Sequence, residues 1–339
     1  IGVLRRNLNL EYHKHSALKI RRKTPMKVVS VSLALFLAVA SLPASSSGAK
    51  VLRGELSDHG HEALEILGSK ASFDALDMTN DFEANPENED AGIWVVSGAT
   101  GRTGQLAFEA LESVQNVQTR ALVRNATKAK SLLNCGNCTE ADGIFIGDVT
   151  SRKTLSKALR GASGLVILTA SFPLQDGKGH YYYPDGATPK DIDWRGTVNQ
   201  ILEAKAQGVK HIVLVSSMGT TVPDGMLDKI GDGHTLFYKL NAEAVLMQSG
   251  LYFTIIKPCG LTDQNLHLGT QVGHCDNFKH IPLAPVVSRT TIATYIKSAV
   301  DLGAPGRNVR FAVCSDPFRP FAKDDMAKLY RTAADISDC

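Results

Sequence analysis

The sequence predicts an α/β fold built on a doubly wound parallel sheet in a single domain. Three observations carry that expectation. An apolar run with β-branched residues, 92–97, leads straight into glycines at Gly98, Gly101 and Gly104, and an amphipathic segment opens at Gln105. Strand-length apolar runs then alternate with longer segments of helical period, a succession that lays strands parallel and puts helices on both faces. Residues 165–171 begin as an unbroken apolar run, the pattern of a strand covered on both sides.

The glycine stretch is the most informative element. It has G-x-x-G-x-x-G spacing between a strand and a helix. Gly98 suits the tight turn, Gly101 the close approach of a pyrophosphate, and Gly104 the packing of helix on sheet. Free N–H groups at the helix N-terminus then face the phosphates. The flanking strand and helix decide for a dinucleotide site over an ordinary βα turn. Its expected contacts are Gly98, Thr100, Gly101, Arg102, Thr103 and Gly104, in a Rossmann-like fold.

The net charge of +3 conceals an uneven chain. Residues 1–25 hold seven Lys/Arg and one acid, +6, so the remainder carries 3 − 6 = −3. That remainder offers no basic footprint for nucleic acid. Residues 1–25 read as an upstream read-through or a basic presequence. Met26, Lys27 and the apolar residues 28–40, closing on Ala38-Val39-Ala40, read as a signal segment within 26–49. The apolar run is shorter than the ~20 residues a membrane helix needs, so a removed signal is expected and no lasting anchor. Residues 50–90 read as an acidic linker. His59 and His61 lie in it without the further ligands of a metal site, and no metal is expected. The nucleotide-binding domain then covers 91–318, and a C-terminal tail with one helix over 324–333 covers 319–339.

Within the domain, residues 118–124 read as the second strand, ended by Arg124. An acid there would hold the ribose 2′-hydroxyl of NAD, whereas a cation suits the 2′-phosphate of NADP. Arg124, with Arg102 in the turn and Lys128 nearby, favours NADP(H) over NAD(H). A third strand, 143–148, ends in Asp148, which either lies beside the adenine or caps the helix starting near Ser151. The end of the fourth strand, Thr169, Ala170 and Ser171, should run along the nicotinamide ribose, because ligands bind outside the carboxyl ends of such strands.

Residues 172–189 read as a loop with three consecutive tyrosines, Tyr181, Tyr182 and Tyr183. They either touch substrate or cover the core edge. A helix over 191–207, ended by Gly208, precedes a strand over 210–216. Residues 261–287, rich in Gly, His and Pro, should form a small substrate-side lobe over the nicotinamide end. A helix over 288–302 and a strand over 309–314 complete the domain.

Taken together, these motifs resemble a known family. Residues 98–104 (GATGRTG), 120–124 (RALVR), 147–150 (GDVT), 208–219 (GVKHIVLVSSMG) and 252–261 (YFTIIKPCGL) are similar to the atypical short-chain dehydrogenase/reductases. Within these, the likeness is to NAD(P)-binding, NmrA-like proteins that include plastid-associated plant members. The resemblance implies carbonyl reduction by Ser, Tyr and Lys. Ser217 matches the serine, with Ser216 as the alternative, and Lys239, followed by Ala242-Glu243, matches the lysine.

Y-x-x-x-K puts the family tyrosine one turn before the lysine on the same helix face; here that position holds Thr235. A threonine is a far weaker proton donor than a phenol. Asp232 and His234 precede this helix as substitutes, with turn-forming and structural roles as the alternatives. The resemblance therefore implies one of two outcomes. The first is an NADP(H)-dependent oxidoreductase acting on a small molecule: a quinone, flavin, tetrapyrrole or small carbonyl. The second is a non-catalytic NADP-binding regulator or assembly factor that acts through protein partners.

Cys135 and Cys138 form a C-x-x-C between the second helix and the third strand. With no second such pair for zinc, they read as free surface thiols, a local disulfide being the alternative. Asn125 and Asn137 begin glycosylation sequons. A glycan on Asn125 would crowd the 2′-phosphate pocket. The expected route is therefore through the secretory entry point to a plastid, with the ER lumen or secretion as the alternative.

Overall fold

The computed structural model describes residues 92–133, 135–222, 225, 227–266, 268–273, 285–303, 306–320 and 326–335. These fall in one compact unit, 60–339. The expected presequence, signal segment and acidic linker lie outside the described residues.

In chain order, β1 (Gly92–Ser97) leads into α1 (Arg102–Glu112), followed by β2 (Val117–Val123), α2 (Ala126–Leu132), β3 (Ile144–Ile146), α3 (Ser156–Leu159) and β4 (Gly164–Ile167). A two-residue hairpin, β5 (Leu174–Gln175) and β6 (Tyr181–Tyr182), interrupts the predicted loop. A wide-turned helix, Lys190–Gly196, runs into α4 (Thr197–Ala206), then β7 (His211–Val215) and α5 (Thr235–Gln248). After β8 (Tyr252–Pro258) come the short β9 (Gly260–Thr262), β10 (Leu268–Gly273) and β11 (Val286–Ser288), then α6 (Arg289–Leu302), β12 (Val309–Pro320) and α7 (Met326–Asp335).

The main sheet has eight strands in the order β10-β12-β8-β7-β4-β1-β2-β3. All neighbouring pairs run parallel except β10 with β12. The chain thus steps outward from β1 to β3 and returns to β4 on the other side, so the strand order reverses between β1 and β4. Ligands of open α/β sheets bind at such a reversal.

Alternation along β1 shows why the strands are apolar on both sides. Trp94 and Val96 pack with Ala107, Phe108 and Leu111 of α1 and with Ile292 and Ile296 of α6, while Val95 packs on the other face with Leu159 and Ile201. The stretch expected as a lobe contributes β10 to the sheet edge, so part of it is sheet rather than cover. In the stretch read as a tail, α7 seats Tyr330 in the core, where its hydroxyl donates to the Tyr295 carbonyl at 2.6 Å. Burial pushes that phenol well above its ordinary range, and the neighbouring Tyr295 adds to the effect.

The cysteines correct one expectation. Cys135 and Cys138 are joined as a disulfide with Cα atoms 5.1 Å apart, and a second bridge joins Cys259 to Cys314 at 5.3 Å. The C-x-x-C loop doubles back tightly enough to bring both Cα atoms within bridging range. The second pair follows from strand adjacency, since Val313 lies opposite Pro258 in the β12–β8 ladder.

Glu203 ties α4 to the preceding layer. Its carboxylate accepts from Arg152 Nε at 2.9 Å, Ser156 Oγ at 2.7 Å and Gln207 Nε2 at 2.8 Å. Burial raises its pKa, but these hydrogen bonds and the Arg152 charge outweigh burial and leave it below the ordinary value. A carboxylate whose folded pKa is depressed adds stability above its unfolded pKa and loses it as pH falls through the folded one. Glu203→Gln is therefore expected to lower stability at pH 7 by about 1.5–3 kcal/mol and to flatten the acid limb of the stability curve in urea titrations. An unchanged acid limb would remove Glu203 from the pH dependence.

Candidate functional site

The glycine turn has the conformation its sequence demands. Gly98 has φ of +76°, and a Cβ there would sit 3.0 Å from the Leu168 carbonyl carbon at the end of β4. At Gly104 a Cβ would lie 2.1 Å from the Gly98 carbonyl oxygen, so only glycine lets α1 rest on the end of β1. No side chain caps the N-terminus of α1, and its helix bonds begin with Gln105 N–H to the Gly101 carbonyl at 3.0 Å. The first-turn N–H groups are thus left for an external acceptor. Thr103 is buried, and Thr100 is partly exposed at the turn. A cradle with no room for a Cβ, uncapped donors and the reversal of strand order together fit a dinucleotide pyrophosphate.

The cation in the turn has a carboxylate partner that the sequence does not announce. Arg102 Nη1 pairs with Asp263 Oδ2 at 2.9 Å, and Arg289 Nη1 pairs with Asp263 Oδ1 at 2.8 Å. Arg102 is thus engaged by a residue just beyond β9. The two arginines and Asp263, with Gln105, Leu106 and Thr290, line a cleft of about 360 Å3. Arg124 is exposed just past β2, and Asn125 caps α2 by accepting from Lys128 N–H at 2.9 Å. Asp148 accepts from Thr150 N–H at 2.9 Å and from its hydroxyl at 2.8 Å, a turn-capping role.

Residues 169–171 lie past the end of β4. Gln200 Nε2 donates to Thr169 Oγ1 at 3.1 Å, Ala170 follows, and Ser171 turns to Asp193. Asp193 is the centre of this corner. Its fully buried side chain pairs with Lys239 Nζ at 2.7 Å through Oδ1, while Oδ2 accepts from Ser171 N–H at 3.0 Å and from the Ser171 hydroxyl. Asp193 lies in the wide-turned helix, and turns of that kind are rare and concentrate at functional sites.

One turn before Lys239, the Thr235 hydroxyl meets the phenol of Tyr183 at 2.9 Å. Ser217 is partly exposed, with its hydroxyl donating to the Met218 carbonyl at 2.8 Å. Ser216 is separated from it by role. It is buried and donates to Glu243 Oε1, which also receives Thr220 at 3.2 Å, while Arg310 grips Glu243 Oε2 at 2.7 Å and 2.8 Å. His234 lies 3.4 Å from Asp228 and 3.6 Å from Asp232. The carboxylate of Asp228, not Asp232, caps α5 by accepting from Leu236 N–H at 2.7 Å and Phe237 N–H at 3.1 Å.

Sequence reasoning missed Asp193, Asp228, Asp263 and Arg289. Only Asp193 carried a signal: an acid on the buried face of an amphipathic helix needs a partner.

Residues 98–301 match the NAD(P)H-binding family. The chain is 38% identical over 196 residues to sanguinarine reductase of Eschscholzia californica, covering 50% of this chain and 70% of that one. It is 29% identical to the photosystem II assembly factor Ycf39 of Trieres chinensis, covering 49% and 45%. Relatives from Arabidopsis thaliana and Pisum sativum are described as chloroplastic, and the chain spans about half their length or less in two cases, 54% and 43%. Among solved structures, a Bacillus halodurans protein described as an NAD-dependent epimerase/dehydratase superposes with a TM-score of 0.55 at 23% identity, over 71% of this chain and 99% of that one, a likeness of fold. By its glycine turn, its parallel sheet and these matches, the chain belongs to the NAD(P)H-binding family of Rossmann-fold proteins.

Proposed function

We propose that the chain is an NADP(H)-dependent oxidoreductase of the atypical short-chain type, reducing a small carbonyl, quinone, flavin or tetrapyrrole. The observation that carries this reading is the Lys239–Asp193–Ser171 linkage at the carboxyl ends of the parallel strands. A lysine is held there by a buried acid, with Thr235 one turn away on the same helix face. The glycine turn and the first turn of α1 would hold the pyrophosphate, and Thr169, Ala170 and Ser171 would border the ribose. When bound, the reduced cofactor supplies a hydride. Lys239 would offer the ammonium hydrogens not used by Asp193 to the ribose hydroxyls. Ser217 can turn its hydroxyl from the Met218 carbonyl to polarise a substrate oxygen.

Arg124 supports NADP(H) over NAD(H), because a guanidinium at the end of the second strand complements a 2′-phosphate. Arg124→Asp is expected to weaken NADPH binding by about 100-fold, in line with the 2–5 kcal/mol of truncated charge pairs, and to leave NADH nearly unchanged. Fluorescence titration of both dinucleotides checks this. Equal losses for the two would remove Arg124 from the 2′-phosphate.

A second reading is a dinucleotide-binding assembly factor or regulator. It is favoured by the exposed apolar side chains of Phe172, Leu174, Tyr181, Tyr182, Leu227 and Phe237, and by the relative described as an assembly factor. A plastid setting accords with the relatives described as chloroplastic. NADPH consumption by the full chain against menadione, riboflavin, biliverdin and 4-nitrobenzaldehyde, with NADPH affinity measured alongside, separates the two. Binding with turnover supports the reductase, and binding without turnover supports the partner-dependent protein.

A further inference from the structure

The helix that carries Lys239 lacks a tyrosine one turn earlier, and the structure brings one there from elsewhere. Tyr183 comes from the end of the β5–β6 hairpin, 52 residues before Thr235, and its hydroxyl meets the Thr235 hydroxyl at 2.9 Å. The phenol thus meets the helix at Thr235, a position that lies on the same face as Lys239 four residues on.

Two glycines make this placement a built one. A Cβ at Gly233 would lie 2.2 Å from Tyr183 Cε2, and one at Gly231, where φ is +60°, would lie 3.2 Å from the same atom. Pro189 walls the slot beside Gly233. Tyr181 and Tyr182 are exposed, whereas Tyr183 is half-buried in this slot, so the three consecutive tyrosines divide into two outer rings and one seated ring.

We infer that Tyr183 is the proton donor of the reduction. This rests on the reductase reading and names the acid that the helix itself lacks. As a hydride from a reduced nicotinamide dinucleotide forms a C–H bond at the carbon of a carbonyl or quinone, the π pair of the C=O bond would move onto the oxygen. The Tyr183 O–H bond breaks, a new O–H bond forms on that oxygen, and the phenolate takes its proton back from solvent. Thr235 orients the phenol and gives up no proton of its own. The titratable groups on the elements around the slot are Asp228, Lys229, Asp232 and His234 before α5, Tyr238, Lys239 and Glu243 on it, Asp185 after Tyr183, and Lys190, Asp191, Asp193 and Arg195 in the helix after Pro189.

Tyr183→Phe keeps the ring in its slot and removes only the hydroxyl. With the full chain, NADPH, and menadione and 4-nitrobenzaldehyde as acceptors, kcat is expected to fall about 100-fold or more, the range of general acid catalysis. NADPH affinity and the thermal midpoint should stay the same. In the unsubstituted chain, the pH at which kcat/KM falls should coincide with the tyrosinate midpoint read at 295 nm as the difference from Tyr183→Phe, a readout that needs no turnover. Thr235→Val should keep that basic limb and shift its midpoint.

Turnover of either acceptor that survives Tyr183→Phe, or a basic limb that does not coincide with the tyrosinate midpoint, overturns the assignment while leaving the reductase standing. NADPH binding with no turnover of any acceptor by the unsubstituted chain overturns the reductase reading and this inference together. Reduction confined to riboflavin or biliverdin overturns this inference alone.

Discussion

Valine in place of Gly104 is expected to abolish dinucleotide binding and to cost the fold about 3 kcal/mol or more, the upper end of overpacking in a closed site. The added Cβ alone would stand 2.1 Å from the Gly98 carbonyl oxygen and 2.9 Å from Ala99 Cα. Both are backbone atoms of the turn itself, so no side chain can swing aside to make room. Relief requires α1 to lift from the end of β1, and lifting it carries away the uncapped N–H groups that face the phosphates. Gly177 supplies the control: a Cβ there meets nothing within 4 Å, and Gly177→Ala should leave stability and binding alone. Urea unfolding and NADPH fluorescence titration read the two effects separately. A folded Gly104→Val chain with parental affinity would show that the dinucleotide does not sit on this turn.

The same turn shows what one chain of letters can convey. Glycine spacing, β-branched runs and their alternation with helical periods are local, so the parallel sheet and its glycine turn are legible in the sequence alone. Arg124 was readable too, because its position depends only on where a strand ends.

Partnerships across long sequence separations were not readable. The carboxylate partner of Arg102, Asp263, lies 161 residues away. Tyr183 was one of three identical letters, and only the glycines at 231 and 233 single it out, through space they leave empty. Asp228 caps α5 from seven residues ahead of its first residue, where capping rules look one residue ahead. The wide turns over Lys190–Gly196 shift the register of a helix whose existence was plain, and with it the direction of Asp193. In each case the missing information is a distance, and local pattern carries none.

Lys239→Met tests the corner that these separations hide. It should destabilise the chain by about 3–5 kcal/mol, the cost of leaving one partner of a buried ion pair alone. Asp193 has no exposed side-chain surface, so its carboxylate would keep only the Ser171 hydrogen bonds against the loss of hydration. Lys239 retains some exposure, at 13% of its side chain, and Asp193→Asn should therefore cost less than Lys239→Met. The amide still accepts from Ser171, and the stranded ammonium can reach water. Combining the two substitutions removes both charges and should recover most of the stability lost in Lys239→Met, because the unpaired carboxylate is gone. Turnover should not recover with it, since the ammonium proposed to hold the ribose is then gone. Parental stability in Lys239→Met would mean that the ion pair contributes nothing to the fold. Parental turnover in the double variant would mean that Lys239 serves the fold and not the reaction.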